Sequence, residues 1–287
     1  MVGSLILGFF DGIHRGHRAV IENGVNNSCG KNLLITFKES PSVYFKGSAE
    51  YIYKRNESYQ KAINLGIDEI IELDIKEIVN TTALDYIKDL VNKYSPNIIT
   101  SGFNHTFGYN KEGTPELLQK LSEKYNYKYI YTPPELYENE VISSSMIKSL
   151  LKEGNLSKAN LLLESEFSIE GEVIHGAKIG RTIGFPTANI KYPDNIIKLP
   201  FGVYSTDILI KNNEQKFKGI MNWGIKPTLN NVSEPIAEIH IHNFDNNIYG
   251  QTLKVKIKNK IRNEVKFNSL EELKIQIKKD IEACLKS

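Results

Sequence analysis

The sequence contains few cysteines and no long apolar run. Cys29 and Cys284 stand far apart in the 287-residue chain, outside any CxxC or Cys/His cluster, so neither a disulfide framework nor a zinc site is indicated. The longest apolar runs, such as residues 4–10, are far shorter than the roughly 20 residues that a membrane-spanning helix needs. The first residues also lack the basic, apolar and small-residue order of a secretory signal. We therefore expect a cytoplasmic protein that does not associate with membranes.

A dominant charge of one sign is also absent. Lysine and arginine total 36 and aspartate and glutamate total 34, which leaves a net charge of +2 and predicts no general attraction to nucleic acid. The hydrophobic fraction of 40% and the charged fraction of 24% are those of an ordinary globular protein. Because 287 residues exceed the size of a typical single core, the length favours two domains. The sequence carries no indication of an oligomeric state.

The first half of the chain has the pattern of a parallel sheet. Short apolar or β-branched runs alternate with amphipathic stretches, which is typical of strands joined by crossover helices. We therefore expect an α/β domain, Rossmann-like and doubly wound, over residues 1–165. Its predicted strands are residues 4–7, 33–37, 69–73, 97–100 and 128–132. Predicted helices are residues 59–65, 84–94, 146–152 and 156–163.

The second half, residues 166–287, has a different pattern. Many short strands separated by Gly, Pro and Asn turns are typical of a small antiparallel β-barrel. Its predicted strands are residues 170–175, 202–210, 217–223, 237–242 and 253–261. A final helix follows Ser269, which can cap it. Its apolar stripe is predicted to be Leu270, Leu273, Ile277, Ile281 and Leu285.

A glycine-rich turn with two histidines follows the first predicted strand. Residues 8–17 read GFFDGIHRGH and lead into a helical pattern. At the carboxyl end of a first parallel strand, such glycines let backbone N–H groups approach a phosphate, and the following helix adds partial positive charge. His14 and His17 are three residues apart, so both can face one side and hydrogen-bond an α-phosphate in the transition state. A surface or metal-binding pair is the plainer interpretation of two such histidines, but the strand-glycine-helix context favours a nucleotide site.

A second helix start rich in hydroxyl groups lies at residues 142–148, which read ISSSMIK. Ser143, Ser144 and Ser145 fall in the first turn, where free backbone N–H groups favour anions, and Lys148 follows one turn later. This arrangement can hold a leaving pyrophosphate. N-capping explains at least one of the serines as well, and both uses are compatible.

The predicted barrel opens with another glycine-rich segment. Residues 171–189 read GEVIHGAKIGRTIGFPTAN, a flexible loop whose N–H groups suit a phosphate. Thr187 and Asn189 are two apart in an extended stretch, so they point to the same side and offer hard oxygen ligands to Mg²⁺. Ordinary turn glycines between strands are the alternative interpretation of the loop.

Glu238 stands in an otherwise apolar strand pattern, AEIHIH at residues 237–242. A carboxylate in that setting can accept the proton of an attacking hydroxyl group, which is general-base catalysis. The alternative is a solvent-facing glutamate beside His240 and His242. Five cations alternate along a later strand: Lys254, Lys256, Lys258, Lys260 and Arg262. A nucleic-acid surface is one interpretation of them, and a solvated outer strand face is favoured because stacking aromatics are not interleaved.

The first half resembles the adenylyltransferase domain of bacterial bifunctional riboflavin kinase/FAD synthetases. The resemblance rests on FDGIHRGH, on GFNHTFG at residues 102–108 and on VISSSMIK. It implies that His14 and His17 are catalytic and that Asn104 contacts flavin. The ATP-binding residues predicted for this half are Gly8, Phe10, Asp11, Gly12, Gly16, Ser143, Ser144, Ser145 and Lys148. Three positions depart from the family pattern. Ser40 replaces the histidine of Thr-Phe-x-Pro-His-Pro, Ser145 replaces a threonine, and Lys148 replaces an arginine that holds phosphate with two hydrogen bonds.

The second half resembles the riboflavin kinase domain over its whole length. The matching strings run from VIHGAKIGRTIGFPTANI through GIMNWGIKPTLNN and AEIHIHNF to IRNEVKFNSLEELKIQIKKDI. The resemblance implies a six-stranded barrel with Thr187 and Asn189 at Mg²⁺ and ATP, and with Glu238 as the base for the riboflavin 5′-hydroxyl. The further ATP-binding residues predicted for this half are Gly176, Lys178, Gly180 and Pro186. Flavin is expected near Arg262, Asn263 and Glu264.

We therefore expect an enzyme that makes flavin cofactors. It phosphorylates riboflavin with ATP to give FMN and ADP, and it adenylylates FMN with ATP to give FAD and pyrophosphate, with Mg²⁺ serving both steps. One alternative, raised by Ser40 and Lys148, is a riboflavin kinase whose first domain is weakened or inactive. A second is a flavin-sensing regulator that binds nucleic acid through the lysine-rich strand.

Overall fold

A computed structural model gives the structure of the chain and describes residues 1–176, 179–211, 213, 215–225 and 235–286, with the side chain of Ile179 left out. The chain divides into two compact units, residues 1–146 and 147–287. Each unit has its own sheet. Among the residues that the structure describes, no helix is both long and apolar enough to cross a membrane.

The first unit is built on a five-stranded parallel sheet in the order β3-β2-β1-β4-β5. The chain starts in the middle of the sheet and moves outwards on both sides, so the predicted doubly wound fold is confirmed. In chain order the elements are β1 (Val2–Leu7), α1 (Arg15–Asn26), β2 (Lys31–Phe37), α2 (Pro41–Lys46), α3 (Arg55–Asn64), β3 (Glu69–Leu73), α4 (Ile75–Ile78), α5 (Ala83–Tyr94), β4 (Ile98–Gly102), α6 (Pro115–Tyr125), β5 (Lys128–Thr132), the hairpin β6 (Leu136–Tyr137) and β7 (Glu140–Val141), and α7 (Ser144–Glu153), which continues into the second unit.

The central strand β1 is buried on both faces, as is usual for a parallel sheet covered by helices. Leu5 and Leu7 pack in the cluster that contains Ile87 of α5, whereas Ile6 packs in the cluster that contains Ile21 of α1. The strand order reverses between β1 and β4, and ligands of such sheets bind at this switch point, beyond the carboxyl ends of the strands. The turn at residues 8–17 lies at that place.

The second unit is a closed antiparallel barrel of six strands in the order β10-β11-β12-β9-β8-β13. The predicted six-stranded barrel is confirmed. After α7 its elements are α8 (Leu156–Leu163), β8 (Phe167–Ile174), α9 (Ile179–Thr182), β9 (Ala188–Lys191), β10 (Gly202–Ile210), β11 (Lys216–Ile225), β12 (Pro235–Ile241), β13 (Thr252–Arg262) and α10 (Leu270–Lys286).

The division after residue 146 comes earlier than the predicted boundary after residue 165, because α8 is attached to the barrel. Asn160 donates a hydrogen bond from Nδ2 to the Ile257 carbonyl (3.0 Å) and accepts one from the Phe167 N–H (2.7 Å). Ser157 Oγ donates to Oδ1 of Asn259 (3.2 Å). These bonds tie the helix to strands β8 and β13.

The lysine-rich strand β13 carries ion pairs on its outer face. Asp207 of β10, whose side chain is 4% exposed, lies 3.8 Å from Nζ of Lys258 and 2.8 Å from Nζ of Lys216. Lys256 lies 3.8 Å from a Glu166 carboxylate oxygen. The expectation of a plainly solvated face was therefore incomplete, because acidic partners from neighbouring elements compensate these cations.

The final helix α10 begins after Ser269, whose Oγ accepts a hydrogen bond from the Glu272 N–H (3.1 Å), as predicted. The predicted apolar stripe is wrong at both ends, since Leu270 is 59% exposed and Leu285 is 41% exposed. Along the helix the fully buried residues are Asp280 and Cys284, which share a face with the partly buried Ile277 and Ile281. A polar residue is thus part of the packing face.

Candidate active sites

The first cleft opens at the switch point between β1 and β4. Its empty space, including the open mouth, is about 1130 Å³. The cleft is lined by residues of the turn after β1, the segment after β4 and the start of α7. Most of the predicted residues of this unit line it together: Gly8, Phe10, His14, Gly16, His17, Asn104, Ser143, Ser144 and Ser145.

The two histidines of the turn form a stacked pair, with ring centroids 3.8 Å apart and planes 20° apart. His14 caps α1, and its Nδ1 accepts a hydrogen bond from the His17 N–H (3.4 Å). The ring proton of His14 is therefore on Nε2, which is buried and has no hydrogen-bond partner within the described ranges. Burial lowers the pKa of His14 to about 4, so the ring is neutral near pH 7. His14 is thus a neutral ring in the wall of the cleft, with its N–H donor buried.

Asp11 and Gly12 shape the turn and lie outside the cleft lining. Oδ1 of Asp11 accepts a hydrogen bond from the Ile52 N–H (2.9 Å). Gly12 has φ +90°, and Ile13 follows with φ +46°, a conformation that is costly for a β-branched residue. Such strain is often kept where it orients a functional group. The strained backbone leads directly into His14, and direct ATP contact by Asp11 and Gly12 stays a prediction.

The start of α7 uses two of its three serines within the protein. Ser144 Oγ donates a hydrogen bond to the Asp11 carbonyl (2.9 Å), which joins the two halves of the cleft. Ser143 Oγ accepts from the Met146 N–H (3.2 Å), the predicted capping role. Ser145 lines the cleft, and Lys148 follows in the part of α7 that belongs to the second unit.

Two further positions in this unit were missed or altered. His105, next to the exposed Asn104, also lines the cleft; its Nε2 is buried without a partner in the described part of the chain, and burial lowers its pKa to about 4. Ser40, at the position of the family histidine, caps α2 by accepting a hydrogen bond from the Ser42 N–H (3.3 Å). Ser40 therefore has a local structural role at the start of α2.

In the barrel, the strand register aligns the predicted catalytic residues. Asn189 of β9 lies directly opposite Glu238 of β12, and Glu238 lies directly opposite Asn222 of β11. Directly opposite residues have Cβ atoms about 4.5–5.5 Å apart and point to the same face. The row continues through Val203 of β10 to Arg262 of β13. Asn222 is a member of this row that the sequence analysis missed.

Two cavities meet at Thr187. The larger one, about 1050 Å³ with its open mouth, lies beside α10 and includes Glu238, Arg262 and Glu264 in its lining together with Thr187. The smaller one, about 480 Å³, includes Pro186 and Tyr249. Thr187 is the predicted ligand-binding residue common to both, so it stands where two substrates would come together.

Glycines of the loop before β9 allow close packing around these residues. A Cβ on Gly176 would overlap the side-chain amide of Asn189, and a Cβ on Gly180 would overlap the Phe185 carbonyl and lie 3.4 Å from Oγ1 of Thr187. Gly180 thus permits a close approach of two backbone segments, and Gly176 leaves room for the Asn189 side chain. Lys178, also predicted to bind ATP, lies outside the described residues.

Comparisons with known proteins match both units. The FAD synthetase family model matches residues 3–146, and the riboflavin kinase family model matches residues 163–287. A bifunctional riboflavin kinase/FMN adenylyltransferase of Haemophilus influenzae is 34% identical, covering 98% of this chain and 92% of that protein. One of Buchnera aphidicola subsp. Schizaphis graminum is 36% identical over the same shares.

The chain belongs to the bifunctional riboflavin kinase/FMN adenylyltransferase family. The predictions of both activities, with ATP as co-substrate, are confirmed by these matches. A solved structure from Streptococcus pneumoniae, described as a macrolide-efflux protein, is also similar, with a TM-score of 0.89 and 31% identity over 99% of this chain and 93% of that one. The description of that structure names a different activity, whereas the two family models and the curated relatives all name flavin enzymes.

In the riboflavin kinase unit, Arg262 is held by a buried carboxylate. The Arg262 Nε–H donates to both carboxylate oxygens of Asp280 (3.0 Å each), and Nη2 donates to Oδ2 (2.9 Å). Gln276 Nε2 also donates to Oδ1 of Asp280 (2.8 Å). A Cβ on Gly224 would overlap the carboxylate of Glu264. Asp280 and Gly224, which the sequence analysis missed, thus set the positions of the two predicted flavin-binding residues.

The donors near the kinase cavities fit a magnesium nucleotide. Thr187 offers a hydroxyl oxygen to both cavities, whereas Asn189 offers an amide oxygen from a buried position outside the two linings. Within the described ranges, no group of three or more His, Cys, Asp and Glu side chains could hold a metal ion by itself. Mg²⁺ commonly takes few protein oxygens and completes its shell with phosphate and water, so this sparse set is compatible with a metal that arrives on ATP.

Proposed function

We propose that the second unit phosphorylates riboflavin with Glu238 as general base, and that the first unit transfers AMP to FMN with His14 and His17 at the α-phosphate. Riboflavin is assigned to the larger barrel cavity and ATP to the smaller one. The observation that carries the kinase assignment is that Thr187 lines both cavities while Glu238 lies opposite Asn189.

In the kinase step, a carboxylate oxygen of Glu238 accepts the proton of the riboflavin 5′-hydroxyl. At the same time the hydroxyl oxygen forms a bond to the γ-phosphorus of ATP. The bond from the γ-phosphorus to the bridging oxygen breaks, and ADP leaves with the electron pair. Thr187 and Asn189 hold the magnesium end of the nucleotide. Arg262 and Glu264 hold the flavin, and the ion pair with Asp280 fixes the position of the Arg262 side chain.

In the adenylyltransferase step, a phosphate oxygen of FMN attacks the α-phosphorus of ATP, and pyrophosphate leaves with the bridging oxygen. The neutral Nε2–H of His14 donates a hydrogen bond to the charge that builds on the phosphate, and His17 stacks against it. N–H groups at the start of α7, beside Ser145, favour the leaving anion. When bound, Mg²⁺ neutralises phosphate charge in both reactions.

The kinase assignment is tested with Glu238→Gln, which keeps the side-chain shape and removes the base. We expect the rate of FMN formation to fall about 10²–10⁴-fold, with FAD formation from FMN unchanged in the same preparation. Glu172→Gln, at an exposed position of β8, is the matched control and should behave as wild type. A Glu238→Gln enzyme within a few-fold of wild-type kinase turnover would exclude the proposed base.

The adenylyltransferase assignment is tested with His17→Ala. FAD formation from FMN, ATP and Mg²⁺ should fall at least 10²-fold because the stacked pair is lost, and FMN formation from riboflavin serves as the internal control. Equal loss of both activities would indicate general unfolding and contradict a local role for His17.

A further inference from the structure

His240 forms a hydrogen bond at the point where the backbone pairing of two barrel strands ends. The register between β12 and β9 runs from Ile236 to Ile239, whose partner is Ala188. Beyond that pair, Nδ1 of His240 lies 2.9 Å from the carbonyl oxygen of Pro186. A carbonyl can only accept, so Nδ1 carries the proton. The side chain thus continues the attachment of β12 to the segment before β9.

The bonded carbonyl belongs to the peptide group that ends in the backbone nitrogen of Thr187. Because a peptide group is planar, fixing the Pro186 oxygen fixes the plane that leads to the Thr187 Cα. The position of Thr187 matters, since it lines both cavities. His240 itself lines the larger cavity and stands two residues from Glu238 on the same side of β12.

A second contact attaches His240 to the glycine loop. The ring of Phe185 meets the His240 ring edge-on, with centroids 5.6 Å apart and planes at 78°. The Phe185 N–H in turn donates to the Gly180 carbonyl (2.8 Å). The loop end is therefore held through one hydrogen bond and one aromatic contact, and the two can be removed separately.

We propose that His240 is a positioning residue for riboflavin phosphorylation, which holds Thr187 at the junction of the two cavities through the Pro186 carbonyl. The proposal rests on the proposed role of Thr187 in binding magnesium nucleotide. It assigns no proton transfer to His240, because the ring acts through its bond to the backbone.

Three variants separate the hydrogen bond from the ring contact. His240→Phe keeps an aromatic ring against Phe185 and removes the donor. His240→Asn keeps a nitrogen donor at the δ position and removes the ring. His242→Phe, two residues further along, is the matched control. We expect His240→Phe to weaken Mg·ADP binding, measured by calorimetry without turnover, and to raise the KM for ATP, each about tenfold, and His240→Asn to restore most of both.

The same samples report on the mechanism. Hydrogen exchange at the amides of residues 185–188 should be faster in His240→Phe and close to wild type in His240→Asn. In the wild-type chain, the ¹⁵N shifts of the imidazole should show the proton on Nδ1. That measurement keeps the proposal testable where His240→Phe does not fold.

The proposal is overturned if His240→Phe binds Mg·ADP as the wild type does, if His240→Asn loses as much affinity as His240→Phe, or if Nδ1 of His240 carries no proton. Thr187→Ala distinguishes the two levels of argument. Wild-type Mg·ADP affinity in Thr187→Ala refutes the proposed function of Thr187, whereas weak binding there together with normal binding in His240→Phe refutes only the positioning role.

Discussion

The ion pair between Asp280 of α10 and Arg262 of β13 allows a quantitative prediction. The Asp280 side chain is 1% exposed and that of Arg262 is 19% exposed, so solvent screens this pair weakly. In Asp280→Asn the amide NH₂ would face an N–H of the guanidinium, which loses one arm of the paired contact and the compensating charge. Hydrogen bonds to charged groups are worth about 1.5–3 kcal/mol, so we expect a loss of about 2 kcal/mol.

The assay uses the protein's single tryptophan. Trp223 lies in β11 and is 1% exposed, so its fluorescence reports on the riboflavin kinase unit. A loss of about 2 kcal/mol lowers the Tm by roughly 4–8 °C for a domain of this size. The KM for riboflavin should rise as well, because Arg262 lines the larger cavity.

Asp194→Asn is the control for this experiment. Its partner, Lys191, lies 3.5 Å away, and the two side chains are 60% and 83% exposed, so the change should leave the Tm within about 1 °C. The reasoning is refuted if Asp280→Asn unfolds at the wild-type temperature, or if its Tm difference disappears in 0.5 M salt, since salt screens exposed pairs much more than buried ones.

Acidification should destabilise the adenylyltransferase unit, because burial lowers the pKa of His14 and of His105 to about 4, below the usual 6.5. Between these values the unfolded chain binds more protons than the folded one, so the free energy of unfolding decreases as the pH falls from about 6.5 towards 4, by on the order of 1–2 kcal/mol per histidine at pH 5. Hydrogen exchange of residues 1–146 measures this loss; the dependence of stability on pH should be weaker in His105→Phe, and an unchanged dependence would contradict the prediction. Gly224→Ala should raise the KM for riboflavin several-fold with little change in Tm, because the new Cβ displaces only the flexible end of Glu264; an unchanged KM would show that Glu264 does not hold flavin.

Local patterns were sufficient to predict the two architectures. The alternation of apolar runs and amphipathic stretches predicted β3 and β5 with their observed bounds. The pattern of short strands separated by turn residues predicted the barrel and the full extent of β10. Residues close in sequence, such as His14 and His17, were also correctly placed in one cleft, because a single turn determines their relative positions.

Long-range pairings were not predictable from the sequence. Asn222 joins Glu238 through strand register, and register depends on how whole strands align. The burial of Asp280 was not predicted, because a charged residue interrupts the apolar stripe of α10. It is nevertheless buried, and its charge is compensated by Arg262. The bond from the Ile52 N–H to the Asp11 carboxylate, across 41 positions of the chain, was likewise not predictable from local sequence.

Helix α7 also determines where the two activities can be separated by genetic engineering. Its first turn completes the adenylyltransferase cleft with Ser144 and Ser145, while the division between the units falls inside the same helix. A fragment stopped at Met146 would keep only residues 144–146 of α7, which is less than one helical turn and does not persist in water. Gly154, with φ +79°, ends α7 and separates it from α8. An excised adenylyltransferase should therefore retain all of Ser144–Glu153, and an excised kinase should start at the following glycine.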